Sequence, residues 1–387
     1  MKVMFVINSL GAGGAERSLF EMLPLFSRGG VDPTVVCLIR QDQGVQDSTR
    51  ELGVDTRFIN GHGWMSRGRE LHTLVGNLRP DLLHTTIFEA DVVGRLAAVG
   101  TDTPVLTSLV NTTYDPVRLQ DPNIRRWRLA AVKGVDGWTA RHLTTHFHAI
   151  TEAVKDAAVR DLRVKPRDVT VIPRGRDAVR LGQPSPARRA KARKLLDLGA
   201  DDVVLATVGR QEFQKGQWHL LEATASLIQQ DPSLRLVIAG RRGNASNRLE
   251  EVIRTSSLNG EVRFLGHRDD APEVLAAADV FVFPSLYEGL GGALIEAMAL
   301  GLPIVASDLP AIREVVEADR NALLVPPGSS PALAAAVGAL ISDPERRRTM
   351  GERGRQIFQE RFTLERSTSS MLELFADVAT IGRDPSR

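Results

Sequence analysis

The feature that most constrains this chain is a rhythm. Short apolar runs rich in valine, isoleucine and leucine alternate with longer helix-patterned stretches along almost the whole length. The spacing predicts strands at Lys2–Asn8, Thr34–Ile39, Asp55–Ile59, Asp81–Thr85, Val105–Val110, Phe147–Ile150 and Val169–Ile172. A second series is expected at Val203–Val208, Arg235–Ala239, Val262–Leu265, Val280–Phe283, Pro303–Ala306 and Ala322–Val325. Near-continuous apolar strands between helices mark parallel sheets covered on both faces; half-exposed antiparallel strands alternate apolar and polar residues instead. The fold class is therefore α/β.

The rhythm breaks once. From Pro173 to Ala192 the chain reads Pro-Arg-Gly-Arg-Asp, then Gly182, Pro184, Ser185 and Pro186, before a basic helix expected at Arg188–Leu196. Proline and glycine gathered between two periodic halves signal a linker. The 387 residues thus divide into an N-terminal domain, 1–180, and a C-terminal domain, 181–365, each long enough for its own core. From Arg346 onward the chain is charged and helical with no further strand, and this tail is expected to pack back over the N-terminal half, residues 366–387 forming the returning helix.

Composition narrows the function. With 49 Lys+Arg against 47 Asp+Glu the net charge is only +2, which argues against a dedicated nucleic-acid binder. The one cysteine, Cys37, cannot close an intramolecular disulfide, so a reducing compartment, the cytoplasm, fits. The opening apolar run, Val3 to Ile7, is too short for a signal-peptide core, and no uninterrupted apolar stretch of about 18 residues appears.

Three motifs carry chemistry. The first strand runs into Gly11-Ala12-Gly13-Gly14-Ala15-Glu16-Arg17. A glycine-rich turn ahead of a helix lets backbone N–H groups and the helix dipole meet a phosphate. The turn fails the dinucleotide fingerprint, because Glu16 stands where the third small residue belongs; a tight turn without a ligand explains it equally well. The second half opens similarly, with Gly209-Arg210 after a strand and Lys215-Gly216 beyond a short loop. Ligands of open α/β sheets sit at carboxyl ends of strands, where these cations can neutralise a diphosphate, Arg210 as a fork and Lys215 as a point charge. The alternative is two solvated surface charges.

The most specific signal is Pro284-Ser285-Leu286-Tyr287-Glu288-Gly289-Leu290-Gly291-Gly292-Ala293-Leu294-Ile295-Glu296. Glycines free backbone amides near a helix start, and Glu296 falls about a turn into that helix, where its carboxylate can accept from a vicinal diol such as a ribose. Either glutamate alone reads as a capping or solvated helix residue. Two glutamates bracketing a glycine-rich loop are harder to explain by capping.

Taken together, Glu288…Glu296 and Gly209-Arg210…Lys215-Gly216 resemble the retaining glycosyltransferases of family 4, which have the GT-B fold. Gly13-Gly14-Ala15-Glu16, Val171-Ile172-Pro173-Arg174-Gly175, Val262-Arg263-Phe264-Leu265-Gly266 and Leu324-Val325-Pro326-Pro327-Gly328 match further landmarks in order, so the resemblance spans essentially the whole chain. It implies two Rossmann-like parallel-sheet domains facing a central cleft, with the C-terminal helix packing back on the N-terminal domain. By the same resemblance, Gly13 and Gly14 face the donor phosphate or the acceptor, and Arg210 and Lys215 neutralise the departing diphosphate. Glu288 and the amides of Leu290, Gly291, Gly292 and Ala293 hold the transferred sugar. Glu296 takes the ribose, and the backbone near His267-Arg268 meets the base.

The implied partners are a nucleotide diphosphate-sugar donor and a glycan, lipid-linked or small-molecule acceptor, with no metal or other cofactor. No Asp-x-Asp metal motif occurs, and Arg210 with Lys215 can take over its electrostatic role. Glu16, His84, Asn111 and Arg174 are acceptor or sugar candidates. Asn111 stands where many relatives carry a histidine, and it cannot act as an acid or base. His84, on the cleft side of a strand, equally fits a structural hydrogen-bonding role. Arg174 and Arg176 replace the family's usual asparagine and aliphatic residue, and suit either contact with an anionic acceptor or a place lining the hinge. Basic residues interleaved with Trp127, Trp138 and Phe147 across 118–148 suit peripheral contact with an anionic membrane or lipid-linked acceptor, or form an ordinary solvated basic face. The rival functions are a phosphorylase or sugar-nucleotide epimerase of the same fold, and a non-catalytic nucleotide-sugar binder.

Overall fold

The computed structural model describes residues 1–381 apart from Ala12, Asp42, Gln43, Ser257 and Asn259. Ala12 of the glycine-rich turn and residues 382–387 of the expected returning helix lie outside the described residues. The chain forms two compact units. One holds Met1–Asp115, Ile124–Gly175 and the chain from Leu364; the other holds Pro116–Asn123 and Arg176–Thr363.

The first unit is built on seven parallel strands: β1 (Lys2–Ile7), β2 (Asp32–Cys37), β3 (Asp55–Phe58), β4 (Leu82–Thr86), β5 (Val105–Leu109), β6 (His146–Ala149) and β7 (Val169–Val171). Their spatial order, β3-β2-β1-β4-β5-β6-β7, reverses between β1 and β4. Val3 to Ile7 are all about 1% exposed, as expected of a central strand covered on both faces. The largest departure from the apolar spacing is β2, which begins at Asp32 because the ladder pairs it with Lys2 at the start of β1.

The second unit repeats the plan with β8 (Val203–Val208), β9 (Leu234–Ala239), β10 (Val262–Gly266), β11 (Val280–Phe283), β12 (Ile304–Ser307) and β13 (Ala322–Val325). The order is β10-β9-β8-β11-β12-β13, all parallel, reversing between β8 and β11. Each reversal opens a crevice beyond the strand ends, the usual ligand position in such sheets.

The tail does not return as one piece. The helix Pro344–Arg361 stays in the second unit, where Gly351 packs so near Gly301 that an added Cβ would lie 2.0 Å from the Gly301 carbonyl oxygen. Met350, Ile357 and Phe358 on the same helix are buried. Only Leu364–Ile381 joins the first unit, with Phe375 packed 5.1 Å from Phe26 and 5.9 Å from Phe5, ring centre to ring centre. The short segment Pro116–Asn123 belongs to the second unit, where Asp121 accepts a 2.8 Å hydrogen bond from the Asn244 amide. Among the described residues no helix is long and apolar enough to cross a membrane.

Candidate active site

The second unit gathers its charged groups around the β8–β11 reversal. Arg210 follows β8, half exposed, 3.5 Å from Glu212. Lys215 closes a short 3-10 turn whose next residue, Gly216, has φ +55. A Cβ there would lie 2.3 Å from the Pro284 carbonyl oxygen, so glycine is required for the β8 loop to approach the β11 loop. That approach brings the Lys215 ammonium onto Glu288 Oε1 and 5.2 Å from the centre of the Phe283 ring. The Ser285 hydroxyl donates to the same carboxylate oxygen at 3.1 Å. Glu288 is buried, so an ion pair and a hydrogen bond replace its lost hydration.

Beyond Glu288 the chain turns through Gly291, at φ +88, into the helix Gly292–Ala299. First-turn N–H groups of a helix have no intrahelical acceptor, so this end offers amides to an anion or to hydroxyls. Glu296 sits a turn later, buried, and accepts from Arg176 Nε at 3.0 Å and Arg180 Nη2 at 3.4 Å. The Arg176 guanidinium also covers the helix start, since a Cβ on Gly292 would lie 1.9 Å from its Nη2. Leu290 is buried and Ala293 half-buried beside this end. Arg268, by contrast, forms a two-pronged pair with Asp270 at 2.5 and 2.6 Å.

In the first unit Gly13 caps the helix Gly14–Arg28, and the Glu16 carboxylate folds back over it, 2.2 Å from where a Gly13 Cβ would stand. Gly14 has open space at that position. Asn111 follows β5 and accepts from its neighbour's amide, Thr112 N, at 2.9 Å. His84 belongs to a buried relay. His148 Nε2 lies 2.8 Å from the Ile172 carbonyl oxygen, so that nitrogen carries the hydrogen. Its Nδ1 then accepts from the Ser108 hydroxyl at 2.8 Å, and the Ser108 oxygen accepts from His84 Nε2 at 2.7 Å. Burial, reinforced by His148 and Arg174, pushes His84 down to about 3; burial also lowers His148, to about 4. Both rings are neutral near pH 7. Arg174 lines a cavity with them, beside the helix Gly14–Arg28.

Two family models lie in tandem on this chain. The one described as Glycosyltransferase Family 4 matches residues 12–180, and Glycosyl transferases group 1 matches 188–357. Alpha-maltose-1-phosphate synthase from Mycolicibacterium smegmatis is 31% identical over 278 residues, 66% of this chain and 70% of its own. The chain belongs to the family 4 glycosyltransferases. A relative from Escherichia coli, UDP-Gal:alpha-D-GlcNAc-diphosphoundecaprenol alpha-1,3-galactosyltransferase, is 28% identical over 310 residues, 76% of each chain. The structure of Anabaena Alr3699/HepE in complex with UDP-glucose shares the fold, with a TM-score of 0.83 at 24% identity, covering 97% of this chain and 100% of its own.

Against the family landmarks, the structure joins Lys215 to Glu288, and the chain beyond Glu288 turns at Gly291–Gly292 into the helix that carries Glu296. Arg180 and Ser285 are partners that the sequence does not single out, and Arg176 stands out there only as a departure from the family pattern. Glu296 lies 120 positions from Arg176, and no local pattern links them. On the helix Arg126–Leu143, Trp127 and Trp138 are 64% and 53% exposed among arginines, whereas Phe147 is buried on β6.

Proposed function

We propose that this glycosyltransferase moves a sugar, with retention and without a metal ion, from a nucleotide diphosphate to an acceptor hydroxyl. The observation that carries this reading is the Lys215–Glu288–Ser285 cluster beside the start of the Gly292–Ala299 helix. Breaking a glycosyl–phosphate bond leaves an oxocarbenium-like sugar and a diphosphate. Arg210 and Lys215 neutralise that diphosphate as preorganised cations. Glu288 and the Leu290, Gly291, Gly292 and Ala293 amides hold the sugar hydroxyls. Glu296 takes the ribose, its carboxylate oriented by Arg176, and the Arg268 stretch borders the base. Gly13, Gly14 and Glu16 serve the phosphate or the acceptor, with Asn111, His84 and Arg174 on the acceptor's side.

Calorimetric titration with UDP, GDP, ADP, TDP and CDP, and with their sugars, tests the donor half. One base is expected to bind selectively, equally well in EDTA, and at least tenfold more weakly to Glu296→Ala. Silence across the panel would turn the reading toward a phosphorylase. Activity lost in EDTA and restored by Mg²⁺ or Mn²⁺ would end the metal-free mechanism.

The acceptor class is a glycan, and the Escherichia coli relative's name, with its diphosphoundecaprenol, supports a lipid-linked one. Trp127 and Trp138 exposed among Arg125, Arg126 and Arg128 suit a cytoplasmic enzyme resting on an anionic membrane face. Sedimentation with phosphatidylglycerol vesicles is expected to carry the protein down, and phosphatidylcholine vesicles or the Trp127→Ser/Trp138→Ser variant are not. Equal pelleting in all three would remove the membrane contact.

A further inference from the structure

The segment Pro116–Asn123 is flanked on both sides by chain of the first unit, yet it belongs to the second and is anchored there at three points. Val117 packs against the second unit's apolar core. The Arg118 guanidinium stands 6.0 Å from the centre of the Tyr287 ring, and Tyr287 immediately precedes Glu288. Asp121 is only 4% exposed. A buried carboxylate is costly unless its oxygens are engaged, and here three N–H groups engage them. Asn123 donates to Oδ1 from both its backbone and its side-chain amide at 2.9 Å, and Asn244 Nδ2 donates to Oδ2 at 2.8 Å.

The Asn244 contact continues toward the site. Its Oδ1 accepts at 2.7 Å from the backbone N–H of Phe213, the first residue of the 3-10 turn that ends in Lys215. An N–H at the start of a helical turn has no acceptor within that turn, so this bond fixes where the turn begins. The turn is tied in its own right to the β11 loop: the Gln214 carbonyl accepts from Leu286 N at 2.8 Å, and Gln214 Nε2 donates to the Tyr287 carbonyl at 3.0 Å. Asn244 donates at one end of the relay and accepts at the other, so the relay has a direction. A carboxylate at 244 would break it, and a reversed pair would restore it.

We propose that Asp121 is a positioning residue of the transfer reaction: through Asn244 and the Phe213 amide it holds the turn that aims Lys215 at the leaving diphosphate. The proposal rests on the diphosphate role given to Lys215 above. Asp121 itself touches no reacting atom.

Turnover and hydrogen exchange on the full chain test it together. Asp121→Ala is expected to lower kcat about tenfold with donor KM within about twofold, because a misplaced charge-stabilising group costs transition-state binding first. Exchange read in peptides covering residues 211–216 is expected to run about tenfold faster in the same variant, as the Phe213 N–H loses its fixed acceptor. Asn244→Asp sets two carboxylates face to face and is expected to show both defects. Asp121→Asn/Asn244→Asp reverses the polarity: the amide at 121 donates to the carboxylate at 244, which still accepts from Phe213 N. Both readouts are then expected within about threefold of wild type. In a Lys215→Ala background, Asp121→Ala is expected to cost no further turnover, since it acts through that lysine. A full additional loss there, or a reversed pair no better than Asn244→Asp, would assign Asp121 to general stability and overturn the proposal. So would unchanged exchange in Asp121→Ala. The two readings fail separately. Lys215→Ala at full turnover removes the diphosphate role whatever Asp121 does, whereas turnover unmoved by Asp121→Ala in an enzyme that needs Lys215 removes this proposal alone.

Discussion

Replacing Lys215 with alanine is expected to lower kcat by about 10²–10³, the loss of about 2.7–4 kcal/mol that follows removal of one preorganised charge-stabilising donor. The argument is positional. Lys215 does not wave in solvent: Glu288 holds its ammonium, Phe283 lies beneath it, and Gly216 fixes the turn that delivers it. Such a cation reorganises little when charge develops on a leaving diphosphate. The effect should fall on kcat more than on donor KM, because that charge is greatest in the transition state. The variant also strands buried Glu288 with only Ser285 as partner, so part of any loss is misplacement of that carboxylate. Lys215→Ala/Glu288→Gln separates the two: if the double variant recovers, the loss belonged to the stranded Glu288 charge and not to the missing cation. The measurement is nucleotide release from the donor that calorimetry selects. Turnover within about threefold of wild type would remove the diphosphate role altogether.

How much of this was legible beforehand depends on how local each determinant is. All thirteen strands were readable because continuous apolar runs report burial on both faces directly. Their ends were less so, since β2 takes its first residue from the register of β1 rather than from its own apolar run. The tail misled for a related reason. Residues 344–361 are strongly charged, and their attachment to the second unit depends on Gly351 meeting Gly301, a fit invisible to periodicity. In the site, residues within one loop were legible: Glu288, Gly291 and Glu296 share one strand–turn–helix passage. Pairings across long sequence separations were not. Arg176 reaches Glu296, and Ser108 joins His84 to His148, only because the sheets bring them together. The strained Ile87 carries no sequence mark at all; glycine or asparagine would have announced a positive φ, and isoleucine argues against one.

Asp136→Ala is expected to destabilise the first unit by about 3–5 kcal/mol, the usual cost of removing one partner from a buried ion pair. Arg95 is completely buried, and its guanidinium donates to Asp136 Oδ1 at 2.7 Å and to Thr139 at 3.1 Å. Tyr114 donates to the other Asp136 oxygen at 2.8 Å, and burial together with that carboxylate holds its phenol well above the usual range. Alanine at 136 leaves a buried cation and a buried hydroxyl without their shared acceptor. Calorimetry on the full chain should show one of its transitions falling by on the order of 10 °C, at about 2–4 °C per kcal/mol for a unit of this size. The two compact units need not melt together, so the second unit's transition serves as an internal reference. A double variant, Arg95→Met/Asp136→Leu, removes both charges and is expected to recover most of the loss, since apolar replacement of a whole buried pair is often neutral or stabilising. If it recovers while Asp136→Ala does not, the pair contributes little net stability and the penalty belongs to the stranded arginine. If both variants melt alike, the network through Thr139 and Tyr114 stabilises this unit beyond the ion pair, and the Arg95–Asp136 contact is only one strand of it.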